Sequence, residues 1–245
     1  LPPWARDGAG RPNADFSTAE AAARYDAWFE TAAGRYARRL EDELLGEAVG
    51  DVRGLRLLDV GCGTGLHLEL FDGRGARGFG LEPSPAMLGR AQERLRGRAA
   101  RLVRGRAEAL PFRDGAFDAV TMITSLEFAA DPRAALAEAA RVSRRRVVVA
   151  VLTGWSLSAA GRRVKRNVKP TLFRAVRFYD PRELRRVLRA TLGPRLTVAS
   201  TLHFFPVYHA RLERALASWD RRLTRRGCLG GAFLVATARV DGPKR

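Results

Sequence analysis

The sequence predicts an α/β fold, a mainly parallel sheet with helices packed against it, and three observations carry that expectation. Short apolar runs recur at 55–60, 77–82, 100–104, 117–124 and 147–152, each of strand length. Helical spacing or helix-start signals fall between most of these runs, which is the pattern of βαβ units. The first run ends in an acid and passes directly into Gly61, Gly63 and Gly65, a strand-to-helix turn built from alternating glycines.

Taken in order, residues 1–15 are rich in Pro, Gly, Arg and Asp and predict loose chain. From 17 to 46, Tyr25, Trp28, Phe29, Tyr36, Leu40 and Leu44 recur at three- and four-residue steps, predicting one helix that Ser17 and Glu20 would start as a capping box. A strand at 55–60 is followed by a helix at 65–72 and a second strand closing at Glu82. Pro83-Ser84-Pro85 opens a helix over 84–96, since proline suits a first helical turn. Strands follow at 100–104 and 117–124. Asp131-Pro132 leads into an alanine-rich helix, and the β-branched run at 147–152 makes a fifth strand. Beyond it come a basic irregular stretch at 155–179, a helix at 181–192, a strand at 196–202, an amphipathic helix at 207–225 and a last strand at 232–240. The expected division is a helical lid or extension over 1–50 and one domain over 51–245, carrying a basic cap insertion at about 155–180.

At 245 residues the chain suits one large domain, and 46% hydrophobic content is ordinary for a globular protein. No apolar run reaches the roughly 18 residues that span a bilayer. The sequence begins at Leu1 rather than methionine, which leaves its natural start and any processed targeting segment open. Cys62 and Cys228 offer neither a disulfide framework nor metal-ligand spacing, and a reducing cytoplasm is expected. The net charge is +18, but all of the 44 basic residues except Lys165, Lys169 and Lys244 are arginine. That bias beside abundant Ala and Gly reads as composition spread over solvated surface, although such a field attracts polyanions.

The nonapeptide LLDVGCGTG at 57–65 is the most informative stretch. A dinucleotide loop has the spacing G-x-G-x-x-G, which lets pyrophosphate sit on the helix N-terminus. Here the third glycine comes one residue early, and Asp59 precedes the loop. An acid there suits a ligand with an ammonium group better than one with two phosphates. A P-loop is excluded, because no Lys-Ser/Thr pair follows. Glu82 lies at the end of the second strand, where nucleotide-binding α/β units place a carboxylate for both ribose hydroxyls. Met87 on the next helix offers a soft apolar surface for a base.

With these residues the sequence resembles the class I S-adenosylmethionine (SAM) dependent methyltransferases, whose first motif is an acid-x-G-x-G-x-G loop. The resemblance continues through RGRAEALPFRDGAFDAV (104–120) and LEFAADPRAALAEAARV (126–142), covers about 55–152, and is similar to the ubiquinone/menaquinone-biosynthesis type. It implies a Rossmann-like three-layer sandwich with a mainly parallel seven-stranded sheet, its last strand antiparallel, and an N-terminal helical lid. It implies SAM as cofactor. By position, Glu108 would take the adenine amino group and Ala107 would line the ring. YDAWFE (25–30) is similar to the family's leading helix, with Tyr25 at the methionine end. Asp59, Gly61, Cys62, Gly63, Gly65, Glu82, Pro83, Met87 and Thr124 complete the expected cofactor-binding set, with Cys62 a small filler in the loop.

Methyl transfer is an in-line displacement on an activated electrophile, so alignment and exclusion of water are the main demands. If the acceptor is a hydroxyl, a base helps, and His203, His209 and Tyr25 are the candidates. Related quinone enzymes often carry histidine after the fourth strand, whereas this chain has Thr124, Ser125 and Glu127. The expected partner is a small-molecule, partly lipophilic methyl acceptor. The basic run Arg162, Arg163, Lys165, Arg166, Lys169, Arg174 and Arg177 with interleaved aromatics suggests two other partners, nucleic acid or an anionic membrane surface. Against an RNA methyltransferase stands the fourth-strand end MITSLEF, which lacks an Asn/Asp-Pro-Pro-aromatic sequence. A non-catalytic SAM-binding partner protein is the remaining alternative, and oligomeric state is left open.

Overall fold

The computed structural model describes residues 16–153, 177–204 and 210–240. Seven strands form one sheet: β1 (Arg56–Val60), β2 (Arg77–Glu82), β3 (Arg101–Arg104), β4 (Phe117–Ile123), β5 (Ser143–Leu152), β6 (Leu196–Thr201) and β7 (Phe233–Arg239). Their order is β3-β2-β1-β4-β5-β7-β6. The pairs among β1 to β5 are parallel, and β7 inserts antiparallel between β5 and β6. This is the expected Rossmann-like sandwich with its last strand reversed.

The central strands are apolar on both faces, as parallel strands covered by helices must be. Along β5, Val147, Val149 and Val151 face one core, with Leu136 and Ala139 of α5 (Pro132–Val142) and Leu184 and Leu188 of α6 (Pro181–Leu192). Val148 and Ala150 face the other, with Leu44, Leu45 and Val49 of α2 (Ala32–Val49) and Leu68 and Phe71 of α3 (Leu66–Gly73). Helix α4 (Pro85–Arg94) runs beside α3, and α7 (Ala210–Arg225) packs Ala217 on Tyr36 and Leu40 of α2. No helix among the described residues is long and apolar enough to cross a membrane.

The single helix expected at 17–46 is two. α1 (Ala19–Phe29) stops, and Thr31 restarts the chain as an N-cap, accepting from Gly34 N–H at 3.0 Å while donating to the Trp28 carbonyl at 2.6 Å. A Cβ on Gly34 would lie 2.0 Å from that carbonyl, so the break needs glycine. The cap of α1 is Thr18 rather than Ser17. The break divides the N-terminal region: α2 belongs to the helical layer, while α1 packs against α2 and α4.

Candidate active site

The glycine loop follows β1 at the carboxyl edge of the sheet, the edge where open α/β sheets bind ligands. Gly61, Gly63 and Gly65 all have positive φ, at 73°, 55° and 81°. A Cβ on Gly61 would sit 2.4 Å from the Ser125 Cβ, so this glycine also permits the loop to touch the turn after β4. Around Gly63 nothing lies within 4 Å of such a Cβ, which leaves room for a ligand against the backbone. Gly65 caps α3 without a side chain, so the first amides of α3 face the loop and carry the positive end of the helix dipole.

Two carboxylates converge on this loop. Glu82, buried at the end of β2, accepts from Gly63 N–H at 3.0 Å with Oε2 and from Ser84 N–H at 2.9 Å with Oε1. One amide on each oxygen orients the carboxylate, leaving lone pairs on both for a pair of hydroxyls. Asp59 is 1% exposed; its Oδ1 accepts from the Thr121 hydroxyl at 2.8 Å, and its Oδ2 has no partner among the described residues. Burial pushes the Asp59 carboxyl up to about 7, against the Thr121 bond and helped by the Glu82 charge. Tyr25 of α1 lies close enough to these acids to feel their charge. Burial raises its phenol above the ordinary range, and Glu41, Asp26, Asp59 and Glu82 add to the shift. A chain of net charge +18 thus concentrates acids at one point, which favours a cationic ligand over a pyrophosphate.

Polar clasps fasten α1 to the loop and to α4. Thr64 in the loop donates to Asp26 Oδ1 at 2.6 Å, and Arg90 and Arg94 of α4 pair with the same carboxylate at 3.2 and 2.9 Å. Ser84 donates to the Phe16 carbonyl at 2.5 Å. The Phe16 ring meets Tyr25 at 6.0 Å and Phe128 at 5.7 Å, joining α1 to the turn after β4. Asp26, Thr64 and Phe16 were not legible as site residues. Asp26 and Thr64 are short polar groups within motifs read for other reasons, and Phe16 borders the stretch read as loose chain.

The remaining expected residues divide. Cys62 is 5% exposed with its Sγ against Gly80, consistent with a filler, and burial raises its thiol well above the usual range. Met87 is buried but belongs to neither sheet core. Pro83 is exposed beside Glu82. Ala107 packs at the edge of one sheet core. Glu108 caps the approach to α5, its Oε1 accepting from Ala130 N–H at 2.8 Å, with Arg106 3.5 Å from Oε2. Thr124 ends β4 in the left-handed region at φ 47°, which throws the following residues into a tight turn at Leu126–Phe128.

His203 is elsewhere. It lies past the end of β6, at the far edge of the sheet, with Nδ1 3.1 Å from Asp220 Oδ1 and Nε2 3.2 Å from both Ser200 Oγ and the Cys228 carbonyl. Both ring nitrogens are engaged, and the role this geometry supports is anchoring α7 to β6. His209 and most of the basic segment at about 155–180 lie outside the described residues; only its end, Arg177–Asp180, is described.

Comparison with known proteins bears on the same elements. A family model described as a methyltransferase domain matches residues 58–151, from β1 through β5. A demethylmenaquinone methyltransferase of Renibacterium salmoninarum is 40% identical over 101 residues, 41% of this chain and 42% of that protein, so the match spans less than half of the relative. An uncharacterized protein of Mycobacterium tuberculosis is 30% identical over 225 residues, covering 90% of this chain and 72% of its own length. Residues 58–151 belong to the class I SAM-dependent methyltransferase family. A solved structure of a SAM-dependent methyltransferase, possible histamine N-methyltransferase, from Thermotoga maritima shares the fold of this methyltransferase, with a TM-score of 0.68 at 23% identity over 90% of this chain and 97% of that one. The cofactor is SAM, and the unpaired Asp59 Oδ2, the open space at Gly63 and the oriented Glu82 carboxylate fit it.

Proposed function

We propose that this methyltransferase transfers the methyl group of SAM to a small, partly apolar acceptor. SAM supplies a methyl carbon already activated by its sulfonium. The residues then have three tasks: to hold the donor, to hold the acceptor in line with it, and to keep water out.

Glu82 takes the two ribose hydroxyls, its orientation set by the amides of Gly63 and Ser84. Asp59, with the N-terminus of α3 nearby, takes the ammonium and carboxylate end, and Tyr25 closes over it. Met87, Pro83 and Ala107 line the adenine, and Glu108 Oε2 takes its amino group. The single observation that carries this reading is the pairing of an oriented Glu82 with a buried, half-unpaired Asp59 beside the open Gly63.

Support for a small acceptor comes from the cover over the far side of the loop. Phe16, Tyr25 and Phe128 form a connected aromatic roof, which suits a compact, partly apolar molecule and not a duplex. The demethylmenaquinone relative makes a lipophilic ring compound a natural first test. Calorimetry should detect micromolar-range SAM binding. Labelled SAM, offered with cell extract separated into RNA, lipid and small-metabolite pools, should label the lipid or metabolite pool. Labelling of one defined RNA site would replace this reading with the nucleic-acid one, and absence of SAM binding to folded protein would remove both.

A further inference from the structure

One buried carboxyl at the carboxyl edge of the sheet has no task in binding SAM. Glu127 lies in the tight turn after β4, 3% exposed. Its Oε1 accepts from Leu152 N–H at the end of β5, at 2.8 Å, and its backbone carbonyl accepts from Arg177 N–H at 3.1 Å. Its Oε2 has no hydrogen-bond partner among the described residues, and the hydroxyl of fully buried Tyr179 has none either. Two buried polar atoms left unpaired in one place are costly, and such sites call for a missing partner.

The position of this pair is set by the sheet. Glu127 is tied to β5, the neighbour of β4 on the side away from β1, while the SAM residues sit on the β1–β2 side. Ser125, two residues before Glu127, touches Gly61 of the loop and donates to the Val60 carbonyl at 2.7 Å. Phe128, the next residue, meets the aromatic roof. The turn therefore joins the donor loop, the roof and the end of β5.

We propose that Glu127 and Tyr179 form the acceptor subsite, and that the acceptor presents an O–H or N–H hydrogen to Glu127 Oε2. Glu127 is then the base of the reaction. The acceptor heteroatom's lone pair forms the new bond to the methyl carbon, the carbon–sulfur bond breaks with its electron pair left on sulfur, and the acceptor's proton passes to Oε2. Tyr179 donates to the same acceptor group and positions it. Burial pushes the Glu127 carboxyl up to about 8, opposed only by its backbone hydrogen bonds, so it is a stronger base than an ordinary carboxylate. Among the described residues, the ionisable groups facing it are Tyr179 and, across that ring, Arg177, which is paired with Glu183.

This inference rests on the methyltransferase reading, and its test separates the two. Wild type, Glu127→Gln and Tyr179→Phe are assayed with labelled SAM on a phenol, an aliphatic amine, a thiol and an activated methylene compound, with SAM affinity and thermal unfolding measured in parallel. Wild type should methylate the phenol or the amine, with kcat rising toward pH 8. Glu127→Gln should bind SAM normally, lose at least about a hundredfold in kcat, and lose the pH dependence. Tyr179→Phe, which removes only the hydroxyl, should raise KM and keep the pH profile, and it carries the test if Glu127→Gln does not fold. Transfer to thiol or carbon alone, no transfer by SAM-loaded wild type, or an unchanged kcat in Glu127→Gln overturns the subsite. Wild type that binds no SAM overturns the underlying reading with it.

Discussion

Thr64 donates its hydroxyl to Asp26 over 2.6 Å, and this bond fastens helix α1 to the glycine loop. Arg90 and Arg94 hold the same carboxylate from α4, so Asp26 is the point at which α1, loop and α4 meet. Asp26→Ala should leave the sheet intact and speed SAM release by about tenfold, the scale of one lost hydrogen bond to a charged group. Stopped-flow displacement reads this rate directly, and an unchanged rate would mean that α1 does not gate the cofactor.

Glu82→Ala removes the carboxylate proposed to accept from the ribose, the group that ties Gly63 to Ser84. SAM affinity should fall by about ten- to a hundredfold, corresponding to roughly 1.5–3 kcal/mol for a charge-assisted bond. Calorimetry at constant pH is the measurement, and affinity within a factor of two of wild type would reject the ribose assignment.

Asp59 gives SAM binding a pH dependence whose sign follows from its burial. The carboxyl titrates at about 7 in the free protein, and only its ionised form attracts an ammonium. Affinity should therefore be highest above pH 7 and decline as pH falls below it, by at most about tenfold per unit for this group. Glu82, also raised by burial, steepens the decline. Asp59→Asn should bind weakly at every pH and remove one proton's share of the slope.

The loop glycines should separate stability from binding. Gly61→Ala strains a φ of 73° and drives a Cβ to 2.4 Å from Ser125, so it should destabilise the fold by roughly 1–3 kcal/mol from strain alone, before the clash is added. Gly63→Ala meets no atom within 4 Å and should unfold later in urea than Gly61→Ala, yet still lose SAM. Normal SAM binding by Gly63→Ala would show that the ligand does not use that space.

His203 and Asp220 give the edge of the sheet a pH window of its own. Burial opposes the charged imidazole, but the bonds to Asp220 and the Cys228 carbonyl outweigh it and hold its pKa above the ordinary 6.5. Burial likewise opposes ionised Asp220, and the bonds from His203 and Thr201 outweigh it, holding its pKa below the ordinary 3.8. The histidine's contribution is complete below 6.5 and fades as pH rises through its folded value; the aspartate's is complete above 3.8 and fades as pH falls through its own. Asp220→Ala should cost about 3–5 kcal/mol in chemical denaturation and flatten both limbs.

The sheet was legible because its signals are local. Each central strand is apolar on both faces, and Ser84-Pro85, Asp131-Pro132 and Asp180-Pro181 each combine an N-cap with a first-turn proline. The glycine loop and the strand-end acids stand out in the sequence for a similar reason, since both are short-range patterns. What stayed hidden depends on contacts between distant segments. The helix break at Thr31 needs Gly34 to meet the Trp28 carbonyl, and nothing in the 17–46 periodicity marks it. Glu127 could be read as a departure from a quinone-enzyme histidine, but its bond to Leu152 N–H exists only once β5 lies beside β4. His203 looked available in sequence because Asp220, its partner, lies 17 residues away on another element.

The contact of Gly61 with Ser125 also marks the seam between the two halves of the site. Every group assigned to the donor lies before residue 110 except Thr124 at the border, while Glu127, Phe128 and Tyr179 on the recipient's side lie after it and Phe16 and Tyr25 close the roof from the first half. β4 hydrogen-bonds to β1 on one flank and β5 on the other, and is shared by both halves. A hybrid crossing over within β4 would inherit its methyl source from one parent and its choice of recipient from the other, provided that the residue facing Gly61 stays small. Divergence among such enzymes can then proceed by exchanging the second half of the gene while the first is left alone.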